Sequence, residues 1–158
     1  MRGQQYSLVQ AMIAGLLFSL PAQAQQEMTW QQRESEGMVF LAYELPESSD
    51  QSLVLVCDTH TRRFSLHYLD ERDRVRDGMQ AEVEFASEGG RKSLGMLAEQ
   101  QELGDQIILR GETPLDARMI GILNGRELRV TLSDVTQYIP LERAQAGVAA
   151  LSAGCRND

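Results

Sequence analysis

The chain has 158 residues, of which 42% are hydrophobic and 24% charged, so its length and composition are those of one globular domain. Its formal net charge of -8 at pH 7 argues against nucleic-acid binding, which needs clustered cations, and against docking on anionic lipid. The same charge permits a basic partner, although acidity is also simply what keeps many proteins soluble.

The N-terminal residues have the three zones of a secretory signal peptide. Arg2 gives the N-terminus a positive charge, an apolar stretch covers residues 11–20, and small residues follow Pro21. The apolar stretch is too short for a transmembrane helix, which needs about 20 residues. The alternative interpretation is an uncleaved N-terminal anchor.

We expect cleavage between Ala24 and Gln25. Residues 1–24 are then a cleavable signal peptide, and residues 25–158 form a single exported domain that does not span a membrane. The style of the signal and the small size of the domain favour a Gram-negative periplasm.

Short β-rich runs follow one another along the mature chain, separated by polar turns. One of them alternates, which places Phe64, Leu66 and Tyr68 on the inner face of a half-buried strand. After an arm or short first strand within residues 25–36, the expected strands are residues 38–43, 53–57, 63–69, 81–86, 93–98, 106–110 and 127–132.

Two segments carry helical signals. Thr113 is a candidate N-cap with Asp116 at the capping-box position, so a short helix is expected over residues 114–123. The Ala-rich residues 141–151 predict a C-terminal helix. With strands about ten residues apart, the predicted fold class is mainly β, an antiparallel β-sandwich or partly open barrel with one or two short helices.

The mature chain has two cysteines, Cys57 and Cys155, and an even count in an exported domain predicts a disulfide. The bond would tie an early strand to the C-terminal helix. The alternative is a reactive thiol, which needs an electropositive setting, whereas Asp58 beside Cys57 opposes formation of the thiolate.

No catalytic, metal or cofactor motif stands out in the sequence. The two histidines, His60 and His67, belong to a turn and to the polar face of a strand, and no HExxH motif occurs. No serine lies in a GxSxG turn, and Gly89 and Gly90 mark a hairpin turn rather than a phosphate-binding loop. We therefore expect no catalytic residue, no metal and no cofactor.

Two groups of charged residues leave an alternative open. Glu82 and Glu84 share a strand face at a spacing that a glycosidase pair could use, but their alternation with apolar residues favours a solvent-facing role. Arg72, Arg74 and Arg76 alternate with aspartates, which indicates a self-neutralising loop, with a small anion site as the alternative.

The order of a tryptophan, strands, two cysteines and a C-terminal helix along most of the mature chain indicates a class of protein. Trp30 stands near the expected mature N-terminus, a strand ends on Cys57, and a C-terminal helix leads to Cys155. In this layout the chain resembles the small periplasmic proteins of the VasI type, which are associated with type VI secretion. The resemblance implies a disulfide-bonded, β-rich accessory module that is not an enzyme, and it transfers no site residues.

The sequence predicts a non-catalytic binding or accessory module of the periplasm. We expect its partner to be another envelope or secreted protein. An alternative is an inhibitor of a basic secreted enzyme such as lysozyme, because an acidic surface would steer the protein to a basic target. A third hypothesis is an enzyme whose site has no recognisable motif.

Overall fold

A single antiparallel sheet of nine strands forms the body of the protein and curls into a half-barrel. The computed structural model describes residues 27–70, 74–102 and 104–157. In chain order its elements are β1 (Thr29–Ser35), β2 (Met38–Glu44), β3 (Gln51–Asp58), β4 (Arg63–Leu69), β5 (Gln80–Ser87), β6 (Gly90–Gln100), β7 (Ile107–Glu112), α1 (Ala117–Leu123), β8 (Glu127–Leu132), β9 (Val135–Pro140) and α2 (Gln145–Cys155).

The strand order in the sheet is β1-β2-β3-β4-β7-β6-β5-β8-β9, and every neighbouring pair is antiparallel. The predicted fold class is therefore confirmed, and of the two expected architectures the chain adopts the partly open barrel. Both predicted helices are present, including the C-terminal one. Within the described chain, no helix is long and apolar enough to cross a lipid bilayer.

The alternation predicted for β4 is correct, because Phe64, Leu66 and Tyr68 are all buried in one core. The sequence pattern does not predict β9, because the inner face of this strand is not continuously apolar. There Gln137 interrupts the apolar residues that would mark a strand, opposite Val130 of β8. Pairing with β8, rather than an apolar period, fixes this last strand.

Helix α1 begins later than its sequence predicts. Its N-cap is Asp116, whose Oδ1 accepts a hydrogen bond from the backbone N–H of Met119 over 2.8 Å. Thr113 instead lies before the helix, where its N–H donates to the carbonyl of Phe64 in β4 over 3.1 Å. The prediction of Thr113 as the cap was therefore wrong.

Helix α2 also begins later than predicted, at Gln145, and continues to Cys155. The N–H of Leu141 donates to the carbonyl of Arg126 over 2.9 Å, which holds the preceding segment beside the start of β8. The helix packs against β2 and β3, where Gly147 lies directly on the side chain of Leu41.

A disulfide links α2 to the sheet. The sulfur atoms of Cys57 in β3 and Cys155 in α2 lie at disulfide distance, with the two Cα atoms 5.8 Å apart, and both residues are fully buried. Gly154 permits this approach, since a Cβ atom there would lie only 2.8 Å from the Sγ of Cys57. The pairing expected from the two cysteines is the one that the fold brings together.

Two side-chain hydrogen bonds connect strands that are not neighbours in the sheet. The indole N–H of Trp30 in β1 donates to the carbonyl of Pro140 at the end of β9 over 2.7 Å. The side-chain amide of Gln137 in β9 donates to the hydroxyl of Ser52 in β3 over 2.8 Å. Both bonds cross the opening of the half-barrel and hold β9 against the first three strands.

We expect removal of the disulfide to lower the stability of the fold markedly. The cysteines are 98 residues apart, so the Cys57→Ala/Cys155→Ala variant should have a free energy of unfolding lower by about 2–5 kcal/mol. Urea unfolding of the variant and of the oxidised protein measures the difference. Equal unfolding midpoints in the two proteins would contradict the structural role given to this bond.

Candidate functional site

A cleft of about 540 Å³ opens at one end of the half-barrel. The antiparallel order gathers at this end the starts of β1, β3, β5, β7 and β9 and the ends of β2, β4, β6 and β8. We call it the cleft end, and the opposite end the disulfide end. The residues that line the cleft are Met28, Leu45, Asp50, Gln51, Ser52, Leu69, Asp70, Val75, Asp105, Gln106 and Ile107.

The apolar wall residues of the cleft come from strand ends and from the segments that connect strands. Leu69 is the last residue of β4 and Ile107 the first of the neighbouring β7, while Leu45 directly follows β2. Val75, from the segment between β4 and β5, is buried and joins the main core. The cleft is therefore an extension of the core that stays open to solvent.

Ser52 is a buried, uncharged polar group of the cleft. The pairing between β2 and β3 shifts by one residue at this point, since Tyr43 lies opposite Leu53 and Glu44 opposite Gln51. Ser52 has no partner on β2 and is only 2% exposed. Because its oxygen accepts from Gln137, its own hydroxyl hydrogen is left to donate to a second acceptor.

Three aspartates lie around the cleft, and one of them has a structural role. The side chain of Asp70 is only 3% exposed. Its carboxylate is paired with the guanidinium of Arg74, with one oxygen 2.9 Å from Nη2 and the other 3.1 Å from Nε. Arg74 also donates to the carbonyl of Leu132 at the end of β8, over 3.0 Å. This arginine therefore joins the ends of β4 and β8 across the cleft end.

The other two aspartates are available for a ligand. Asp50 and Asp105 are exposed at the rim, and neither forms an ion pair with another described residue. A cation that entered the cleft would meet these two carboxylates without first displacing an arginine.

Charge is unevenly distributed between the two ends of the half-barrel. The exposed acidic residues of the cleft end are Glu27, Glu47, Asp50, Asp77, Glu102, Asp105 and Asp134. The cations of this end among the described residues are Arg74 and Arg76, so its charges do not balance. At the disulfide end acids and cations offset each other, the acids being Glu36, Asp58, Glu88, Glu112, Asp116 and Glu127 and the cations including Arg62, Arg63, Arg91, Lys92, Arg118 and Arg126. The negative field of the protein is therefore concentrated around the cleft.

The other residues considered from the sequence lie away from the cleft. His60 is exposed in the turn between β3 and β4, and His67 is half-buried on the outer face of β4. Glu82 is exposed and Glu84 half-buried on the outer face of β5. No group of three possible metal ligands occurs in the part of the chain that the structure describes.

The predicted disulfide pair, Cys57 and Cys155, lies toward the end opposite the cleft. The expected cleavage point, Ala24 and Gln25, falls outside the described residues, as does Arg72. The sequence pattern did not single out Asp50, Ser52 or Asp105 as site residues. A usable signal existed, because acidic turns at alternate strand connections must meet at one end of an antiparallel sheet.

The chain matches no protein family model, no curated protein and no solved structure. The interpretation of the cleft therefore depends on its geometry and charge.

His67 gives the fold a pH dependence. Burial, followed by the positive charge of the neighbouring Arg110, lowers the pKa of His67 to about 4 from an ordinary value of 6.5. The unfolded chain then binds more protons between these values, so the free energy of unfolding should fall as the pH is lowered from 6.5 to 4. We expect a loss on the order of 1–2 kcal/mol at this partly exposed site.

Urea unfolding across this pH range measures the effect. In the His67→Gln variant the contribution of His67 should disappear and the dependence of the free energy of unfolding on pH should become shallower, whereas the matched variant His60→Gln, in an exposed turn, should retain it. An unchanged slope in the His67→Gln variant would contradict the assignment.

Proposed function

We propose that residues 25–158 form an exported, non-catalytic binding domain that docks a basic partner protein of the cell envelope. The observation that carries the proposal is the coincidence of the apolar cleft with the acidic end of the half-barrel. Apolar area supplies affinity and complementary charge supplies steering and selection, which together characterise a recognition surface.

The export of the domain is supported by two features. The N-terminal residues 1–24 have the order of a secretory signal, and the Cys57–Cys155 pair is of a kind that persists in oxidising compartments. We therefore assign the domain to the periplasm, as an accessory module comparable in layout with the VasI type.

A second candidate function uses the same cleft. An inhibitor of a basic secreted enzyme such as lysozyme also needs a surface of concentrated negative charge, and the rim carboxylates Asp50 and Asp105 would provide it. The two functions differ in the partner, which is a component of the envelope in the first and an enzyme in the second.

The proposed export predicts the mature N-terminus. Protein isolated from the periplasm should have the intact mass of a chain that begins at Gln25 and contains one disulfide. A mass that includes residues 1–24 would contradict the cleavage.

The proposed docking predicts a cross-link at one end of the protein. With photo-reactive benzoylphenylalanine at Gln106, on the rim of the cleft, illumination of living cells should attach a protein of net positive charge. The same group at Arg91, on the disulfide end, should not attach it. The cross-link should be lost in Asp50→Asn/Asp105→Asn and retained in Glu36→Gln/Glu127→Gln, which removes the same charge from exposed residues of the disulfide end.

The identity of the attached protein separates the two functions. If it is a basic hydrolase, a molar excess of the domain should slow that enzyme, and the inhibitor function is supported. An acidic partner, or equal cross-linking from Arg91, would contradict docking through the cleft.

A further inference from the structure

We propose that the cleft takes an apolar side chain of the partner that is flanked in sequence by lysine or arginine. This inference depends on the proposed function and names the chemistry that the partner presents. It follows from three kinds of group that line one cavity: apolar walls, a buried hydroxyl and two carboxylates at the rim.

The apolar walls of the cleft would contact the apolar side chain of the partner. Leu45, Leu69, Val75 and Ile107 come from four separate segments and surround the same space. A volume of about 540 Å³ is that of an ordinary ligand pocket, large enough for one large side chain and its flanking backbone. A purely polar or charged segment would leave these walls in contact with water and lose the main source of affinity.

Ser52 would bind the backbone of the partner segment. This residue lines the cleft and is 2% exposed, and its hydroxyl oxygen accepts from Gln137, so its hydroxyl hydrogen remains to be donated. A peptide carbonyl beside the inserted side chain is a matching acceptor. A linear polyamine offers no such acceptor and has no apolar side chain, which is why a protein segment fits the cleft better.

Asp50 and Asp105 would bind the flanking lysine or arginine side chains of the partner. Because Asp70 is already neutralised by Arg74, only the rim carboxylates of the cleft can accept a new charge. A lysine or arginine next to the inserted residue remains at the rim, where its charge keeps most of its hydration. This arrangement avoids the large cost of burying a cation.

The test uses short synthetic peptides and the isotope-labelled mature domain, with binding followed by changes in its amide NMR signals. The first peptide has a leucine between two lysines. In the second a serine replaces the leucine, and in the third glutamates replace the lysines. The first peptide should shift the signals of Leu69, Gln106 and Ile107, and the other two should bind at least about tenfold more weakly.

Variants of the domain provide the second arm. Asp50→Asn/Asp105→Asn should weaken binding of the leucine peptide about tenfold, whereas the charge-matched Glu36→Gln/Glu127→Gln should leave it nearly unchanged. Spermine, as a free polyamine, should produce no shift at Leu69 or Ile107.

Equal binding of the serine and leucine peptides would overturn the inference, as would equal weakening by both double variants. If the Gln106 cross-link to a basic protein persists while the leucine peptide does not bind, docking through the cleft stands and this recognition rule fails. If the cross-link also fails, both proposals fall.

Discussion

The architecture depends on how an open sheet covers its inner face. Among the described residues, β1 and β9 do not pair with each other, so the half-barrel cannot bury its apolar interior by closing on itself. The two helices cover that interior instead, and the Cys57–Cys155 bond fixes α2 on β2 and β3. The disulfide lies toward one end of the half-barrel. At the other end the cleft is lined by residues of strands and connecting segments and by none of either helix, so that end is covered differently.

That cover consists of one short segment and a few side-chain bonds. Val75 fills part of the end of the core, and Arg74 connects Asp70 with the carbonyl of Leu132. A similar arrangement holds Glu44, which is buried and accepts from Arg33 and Gln51; the bond from Arg33 lowers the pKa of Glu44. The buried acids are thus part of the framework.

The sequence predicts the local structure better than the site. Alternation identifies β4, and the cysteine count predicts the pair that the fold brings together, since both signals depend on few residues. Strand β9 escapes prediction because Gln137 points inward to reach Ser52 across the half-barrel. The cleft escapes it because β4 pairs with β7 and not with β5, an order that no local pattern encodes.

Neither charge nor apolar area alone would make this cleft selective. Exposed ion pairs are each worth roughly 0–1 kcal/mol and weaken with salt, so the acidic end by itself would attract any basic protein loosely. The apolar walls by themselves would accept any hydrophobic side chain. Because Asp50 and Asp105 stand at the rim of those walls, a partner in the proposed docking would gain fully only when it presents both features together. The selectivity of that docking would come from the combination, which the strand order brings to one end of the half-barrel.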